Sequence, residues 1–221
     1  MVRHTICFLI SLAVWSQAQT LPMPQWPAGL SADRRVVLER AMDFLKANPA
    51  VPYLTGGADA KGMDCSGAVT FMLKAANIEL PRSAHGQYEW LKKEGRLTVV
   101  PETARTQDDP VFRTIQPGDL VFWAHDGPDA PEEIHVSHVH MFLGLEKDRH
   151  AVMIGSSDGR SYRGKAVHGF GIVDGHVPKV GSATRIVAFG SPFPTPKPTS
   201  PVPEETDTEK SKEPSPTNRT P

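Results

Sequence analysis

The spacing of apolar residues changes once along this chain, near the turn at 116–119, and this change constrains the fold more than any other feature. Before the turn, apolar residues recur at helical spacing between Ser31 and Asn48, which predicts a helix capped by Ser31. The pattern predicts two further helices, one that begins around Cys65 and ends near Asn77 and one over 82–91.

After the turn, short apolar runs follow one another closely, as they do in antiparallel sheets. They predict strands at 120–123, 138–143, 151–154, 171–173 and 184–189. The polar stretch 156–163 has the composition of a loop. Helices followed by closely spaced strands indicate an α+β domain, with N-terminal helices packed on an antiparallel β-sheet.

The two ends of the chain differ in composition from the middle. A basic start, a short apolar run and small residues up to Ala18 predict a cleaved secretory signal, with an uncleaved anchor helix as the alternative. The tail is rich in Pro, Ser and Thr and poor in apolar residues, which predicts disorder. The expected segments are a signal at 1–18, a linker at 19–30, a domain at 31–190 and a disordered tail at 191–221.

The net charge of the chain and its expected compartment limit which partners it can bind. The formal net charge is −1 and no basic stripe stands out, so a nucleic-acid partner is not expected. Cleavage near Ala18 would release a protein into the periplasm or the medium, without stable membrane insertion. We expect it to be a monomer.

One cysteine carries most of the functional signal. Cys65 follows a glycine-rich loop and begins a predicted helix, and the other cysteine, Cys7, lies in the predicted signal. A lone thiol in an exported protein is either buried and inert or chemically employed. Unpaired N–H groups at a helix start stabilise a thiolate, so the sequence predicts a nucleophile.

A cysteine nucleophile needs a base, and the histidines are the candidates. His138 is favoured because it opens a strand directly after a polar loop. His140 lies two positions later on the same strand face, where it could narrow the groove or assist the site, although packing is the simpler interpretation. A metal site built from Cys65, His135, His138 and His140 is disfavoured, since His135 and His138 would face opposite ways.

Five stretches in order resemble the NlpC-type cysteine peptidases, papain-like enzymes of the bacterial cell wall. They are Val51-Pro-Tyr-Leu-Thr-Gly-Gly57, Met63-Asp-Cys-Ser-Gly67, Leu80-Pro-Arg-Ser-Ala-His-Gly-Gln87, Pro117-Gly-Asp-Leu-Val-Phe-Trp123 and Ser137-His-Val-His-Met-Phe-Leu-Gly144. The resemblance implies a papain-like domain that hydrolyses an amide in peptidoglycan stem peptides, typically between D-glutamate and a diamino acid. It calls for no metal and no cofactor.

The resemblance also implies roles for particular residues. Cys65 would attack the carbonyl, with its own main-chain N–H helping to hold the oxyanion, and His138 would act as general base and then acid. Tyr53, Asp64 and Ser66 match positions that line the substrate groove or surround the nucleophile.

The third catalytic position departs from the family pattern, which often has a histidine on the strand after the catalytic one. Aligning strand to strand places Gly155 there, which leaves Ser156 as the catalytic candidate that we name. Ser157, a backbone carbonyl, a water molecule and His150 remain alternatives, and His150 is expected in the turn before Ala151.

Two further alternatives stay open. A non-catalytic cell-wall binding module would keep the fold without turnover. In the polar stretch 156–163, Arg160 or Arg163 could meet a substrate carboxylate, although a solvated loop is the simpler interpretation.

Overall fold

The computed structural model of the protein describes residues 24–126 and 133–194. Its α-helices are α1 (Ala32–Ala47), α2 (Cys65–Leu73) and α3 (Ala84–Lys93). Its strands are β1 (Ala58–Asp59), β2 (Gly62–Met63), β3 (Leu97–Val99), β4 (Leu120–His125), β5 (Val136–Leu145), β6 (Ala151–Tyr162), β7 (Lys165–Asp174) and β8 (Thr184–Gly190). Short 3₁₀ turns cover Lys74–Ala76 and Pro110–Thr114.

Local capping explains where the helices begin. Ser31, Asp64 and Ser83 each precede a helix, and each side-chain oxygen accepts a backbone N–H from the first turn. Such caps satisfy N–H groups that have no partner within the helix. The 3₁₀ turn after α2 stops at Asn77, which adopts a left-handed conformation. The three helices predicted from the sequence are confirmed.

The main sheet has six antiparallel strands in the order β3-β8-β4-β5-β6-β7. β1 and β2 form a separate two-stranded hairpin just before α2. The predicted α+β architecture, helices first and an antiparallel sheet after them, is confirmed.

The sheet separates two apolar clusters. The larger cluster joins α1, α2 and α3 to the sheet face formed by residues such as Phe122, Val139 and Ile154. The smaller cluster covers residues of the other face, including Trp123 and Met153, together with the 110–114 turn. Because β5 is central and contacts both α2 and α3, it carries its residues to the start of the cysteine helix.

The stretch 156–163 is a strand and a turn, so its prediction as a loop is wrong. β6 continues to Tyr162 and pairs with β7 along its whole length, as the pairing of Ser156 with Phe170 and of Ser161 with Ala166 shows. The stretch has no alternation of apolar and polar residues, and its glycine, aspartate and serine content is typical of a loop.

The ordered domain is wider than 31–190. Within the predicted linker, the Gln25 N–H bonds to the Leu145 carbonyl at 2.9 Å, and Trp26 Nε1 donates to the Leu143 carbonyl at 2.8 Å. At the other end, Phe193 is buried and stacks against the Arg34 guanidinium. The predicted tail boundary at 191 is therefore too early.

The predicted signal at 1–18 and the tail from residue 195 onward lie outside the described residues. Within the described part of the chain, no helix has the length and apolar content needed to cross a membrane.

Candidate active site

The glycine-rich loop and β2 come directly before α2 and place Cys65 at its first position. Asp64 caps the helix, and its Oδ1 accepts the Gly67 N–H at 2.7 Å. Gly67 lies so close to the Gly57 carbonyl that any side chain there would collide with it. This close approach explains the small residue two positions after the cysteine and fixes where the thiol points.

The Arg82 guanidinium holds the helix cap Asp64 in place. Arg82 donates to both oxygens of Asp64, at 2.8 and 2.9 Å, and also to the Gly57 carbonyl at 2.8 Å. Burial alone would raise the pKa of Asp64, but Arg82 and the N–H groups of Gly67 and Gly56 lower it overall. Asp64 is therefore a carboxylate with its bonds already made.

Ser66 belongs to the same network. Its hydroxyl donates to Asp64 Oδ1 at 3.2 Å and accepts from Arg82 Nη1 at 2.9 Å. Two of the three predicted groove residues, Asp64 and Ser66, are thus bonded to Arg82 at the start of α2. Arg82 has no role predicted from the sequence, although the Leu80-Pro-Arg82 stretch before a capped helix was the available signal.

The thiol of Cys65 is buried, and the burial raises its pKa. The N–H groups of Val139, Ser66 and Cys65 itself lower the pKa, but together they do not offset burial and the charge of Asp64. The expected thiolate is therefore wrong for the resting protein, because desolvation outweighs the helix start. The bond from Val139 places the sulfur against β5, at the residue that follows His138.

Tyr53 reaches the same thiol. It forms a bridge to Met63 of β2, and its hydroxyl contacts the Cys65 side chain. Burial, followed by the nearby Cys65 and Asp64, raises the pKa of Tyr53, so the hydroxyl keeps its proton. The structure brings Tyr53, Asp64, Cys65 and Ser66 together, and their roles toward a substrate remain predictions.

His138 has another imidazole as its partner. Its Nε2 lies 2.9 Å from Nδ1 of His140, and the two ring centroids are 4.5 Å apart. Burial, aided by the charge of Arg160, lowers the pKa of His138 to about 3 and places that of His140 well below its usual value. Both rings are therefore neutral at pH 7.

The structure corrects the third position. Ser156 is fully buried and donates its hydroxyl to the Met63 carbonyl at 2.7 Å, so it supports β2 rather than His138. His150 precedes β6, as the strand-to-strand alignment predicts, and its Nε2 lies 2.9 Å from Asp174 Oδ1. The group that contacts His138 is His140, which the sequence pattern had suggested was packing.

Two arginines near the β6–β7 hairpin have opposite environments. Arg163 pairs with Glu146 at 2.7 Å and with Asp148 at 2.6 Å. The Arg160 guanidinium lies 4.5 Å from the centre of the Trp123 ring, and burial lowers its pKa. Within 24–126 and 133–194, no carboxylate lies within ion-pair distance of Arg160. The cation beside His138 thus lacks an ion-pair partner among the described residues.

Other candidate sites are less well supported. Among the described residues, no group of three or more His, Cys, Asp and Glu side chains is arranged to hold a metal ion. A concave volume of about 720 Å³ lies on the sheet face away from the helices, lined by residues such as Phe112, Val121 and Ile186. It contains neither the thiol nor a histidine, so it offers no nucleophile.

Neutral thiol, neutral imidazole and backbone N–H groups together suit nucleophilic acyl transfer. Sulfur can attack a carbonyl while an imidazole takes its proton, and the N–H groups at the start of α2 can stabilise the oxyanion. The buried surroundings strengthen these interactions because they exclude water.

Similarity to known proteins agrees with this chemistry. Residues 50–168, more than half of the chain, match the NlpC/P60 family. Proteins named "Probable endopeptidase" from Mycobacterium tuberculosis strain H37Rv and Mycobacterium bovis are 41% identical over 70 residues. This match covers 30% of the chain and only 17% of each relative.

Solved structures show similar proteins at low identity. An NlpC/P60 family protein from Bacillus cereus ATCC 10987 aligns with a TM-score of 0.46 and 22% identity, over 77% of this chain and 42% of its own. NlpC2 from Trichomonas vaginalis aligns with a TM-score of 0.45 and 17% identity, over 77% and 51%. Because the family match spans more than half of its length, this chain belongs to the NlpC/P60 family.

Proposed function

We propose that this protein is a cysteine peptidase that hydrolyses an amide bond in peptidoglycan stem peptides. The observation that carries the proposal is the position of the Cys65 thiol, which begins α2 and receives the N–H of Val139, the residue that follows His138 on β5. Membership in the NlpC/P60 family and relatives named as endopeptidases support a peptidase in general.

The neutral resting state defines the first step. As the sulfur of Cys65 attacks the carbonyl carbon, its proton passes to His138, and the carbonyl oxygen becomes an oxyanion held by N–H groups at the start of α2. Collapse of this intermediate breaks the C–N bond, and His138 returns the proton to the departing amine. A thioester remains on Cys65.

Water completes the cycle. His138 takes a proton from water, whose oxygen attacks the thioester, and the proton then goes to the sulfur as the acid product leaves. The high pKa of the thiol means that no thiolate is stored before substrate arrives. The proton transfer therefore accompanies the attack, and it depends on the neutral state of His138.

The substrate bond that we propose joins D-glutamate to a diamino acid. A D-glutamate linked through its side-chain carboxyl keeps a free α-carboxylate near the scissile carbonyl. Arg160 is a cation next to His138 without an ion-pair partner among the described residues. A carboxylate at this point would form the charge-assisted bonds that a guanidinium favours.

The proposal includes export of the protein. The N-terminal sequence has the pattern of a secretory signal ending near Ala18, and peptidoglycan lies outside the cytoplasmic membrane. Sequencing the N-terminus of protein recovered from the periplasm or the medium tests this part. A new terminus near Gln19 would support export, and an intact Met1 terminus on cytoplasmic protein would contradict it.

Digestion of purified peptidoglycan tests the main proposal. The wild-type protein should release soluble fragments, and mass spectrometry should find a new amine on the diamino acid and a new carboxyl on D-glutamate. Cys65→Ala is the matched control and should release none. Cut glycan chains, or equal release by both proteins, would contradict the proposal. Binding without cleavage would instead favour a wall-binding module.

A further inference from the structure

The space beside His138 is filled by the side chain of His140, which belongs to the same strand. His140 is completely buried, and an added Cβ on Gly155 of the neighbouring strand would lie 2.5 Å from its Cδ2. Real Cβ atoms do not approach this closely, so the ring occupies the volume that a side chain at 155 would need. Gly155 has no left-handed backbone conformation that would itself call for glycine.

The same ring makes the contact that a base requires. His140 Nδ1 lies 2.9 Å from His138 Nε2. Within the described ranges, no carboxylate lies within ion-pair distance of either ring, and the Ser156 hydroxyl is bonded to Met63. His140 is therefore the side chain that orients His138.

We propose that His140, on the same strand as His138, is its positioning residue. The absence of a side chain at Gly155 leaves the room that the His140 ring occupies. This inference rests on the proposed cysteine peptidase function. In the productive arrangement, Nε2 of His138 carries the proton and donates to Nδ1 of His140. Nδ1 of His138 then keeps its lone pair and is the nitrogen that accepts the thiol proton.

Burial of His140 disfavours one protonation state that would reverse this hydrogen bond. A protonated His140 would donate from Nδ1 and would push the His138 proton to the nitrogen needed by the thiol. Complete burial and the nearby Arg160 charge disfavour that protonated form. The Trp123 ring, perpendicular to that of His140 at 5.9 Å, closes the same space.

Substitutions at position 140 separate orientation from packing. His140→Asn keeps an acceptor near the place of Nδ1, while His140→Leu keeps much of the bulk without one. We expect His140→Leu to lower kcat by about a hundredfold or more at nearly constant KM, and His140→Asn to remain within about tenfold of wild type. Equal kcat for His140→Leu and wild type, with both folded, would overturn the proposal.

Substitutions at position 155 test the complementary half. Gly155→Ala should displace the His140 ring and lower kcat by about tenfold or more, although residue 155 itself bears no reacting group. In the double variant His140→Ala/Gly155→Ala the collision is relieved, so the melting temperature should recover while kcat stays low. Recovery of kcat together with stability would show that position 140 only packs, and would overturn the proposal.

The tautomer of His138 provides a readout that does not depend on turnover. In protein labelled with ¹⁵N-histidine, ring nitrogen shifts should show wild-type His138 protonated at Nε2, and His140→Leu should lose this preference. This result would support the positioning role even if no stem peptide were cleaved. His138 protonated at Nδ1 in the wild-type protein would overturn the proposal, even if the protein were an active peptidase.

Discussion

Two histidine pairs in this protein differ in what surrounds them. His138 contacts His140 in a largely buried site, and the next residue on β5, Val139, donates its N–H to the Cys65 thiol. His150 contacts the Asp174 carboxylate at 2.9 Å in a more exposed site at the base of the β6–β7 hairpin. By its partner alone, His150 resembles the histidine of a catalytic triad more closely than His138 does.

The difference shows that a carboxylate partner does not make a catalytic base. Asp174 also accepts the Ser161 hydroxyl and the Arg163 N–H, so His150 belongs to a network that ties the hairpin to the sheet. Burial would raise the pKa of Asp174, but these bonds lower it. Within the described residues the free cysteine is Cys65, and its sulfur accepts the N–H of Val139, the residue that follows His138.

Replacing His138 and His150 separately by alanine should give the largest difference in activity between the two histidine pairs. His138→Ala should lower kcat/KM on a stem peptide by about a thousandfold, because the thiol proton then has no acceptor. His150→Ala should lower it by less than tenfold, since it loses only a contact with Asp174. Steady-state kinetics, with circular dichroism to confirm folding, measure both. Similar losses in the two variants would mean that the base is misassigned.

Arg160 and Arg163 provide a second comparison, between a cation near His138 and a cation in the network around His150. Arg160→Ala should raise KM by about ten- to a hundredfold for a peptide with a free D-glutamate α-carboxylate, because it removes the unpaired cation. The matched peptide with that carboxylate amidated should bind the variant and the wild type about equally. KM for both peptides follows from initial rates.

Arg163→Ala is the control for this prediction. Arg163 already pairs with Glu146 and Asp148, so its loss should leave KM for both peptides unchanged. If Arg160→Ala raised KM equally for the acid and the amide, Arg160 would not be reading a carboxylate.

The fold was largely predictable from the sequence because local signals agreed with the final structure. Ser31, Asp64 and Ser83 mark the helix starts, and the apolar runs mark the five longer strands of the sheet. The error at 156–163 has a physical cause. Its strand is held by pairing with β7, a non-local interaction that a polar sequence does not reveal.

The site was predictable only in part. The motif predicts Cys65 as the nucleophile and the strand position predicts His138 as its base, and both roles stay predictions. The direction of the shift in the thiol pKa depends on burial, which spacing does not encode. The contact of His140 with His138 depends on the space left by Gly155 on another strand. Such a relation between two distant positions becomes visible only when the strands are seen side by side.

The pH dependence of thiol reactivity should distinguish the neutral pair from a stored ion pair. The pKa of His138 is about 3, and that of Cys65 is raised, so both stay neutral from about pH 4 to 8. The rate of Cys65 alkylation by iodoacetamide should therefore rise about tenfold per pH unit between 7 and 8. His150→Ala should give the same curve.

The same values predict the acid side of the activity profile. Neutral His138 persists well below pH 6.5, so kcat/KM should not fall as pH is lowered from 7 to 5. A pH-independent alkylation rate between 5 and 8 would mean that a thiolate–imidazolium pair is present at rest. Activity lost near pH 6.5 on acidification would mean that the base has the ordinary pKa of an imidazole, contrary to the lowered pKa of His138.

The smallest effect is expected for the C-terminal tail. Removing 195–221 should change the melting temperature by about 1 °C or less, because this segment has too few apolar residues to pack. Phe193→Ala is the control, and should lower the melting temperature by several degrees, since Phe193 is buried against Arg34. Calorimetry compares the two, and a large drop after truncation would show that the tail docks on the domain.

Labelling with a stem-peptide electrophile tests most directly the claim that Cys65 is the nucleophile and His138 its base. A peptide that ends in a thiol-reactive ketone at the scissile position would be added in increments, and peptide mapping would locate the adduct while turnover is assayed. The account predicts one adduct, on Cys65, with activity lost in proportion to labelling. It predicts much slower labelling of His138→Ala and unchanged labelling of His150→Ala. Full turnover by a protein completely labelled at Cys65 would contradict it.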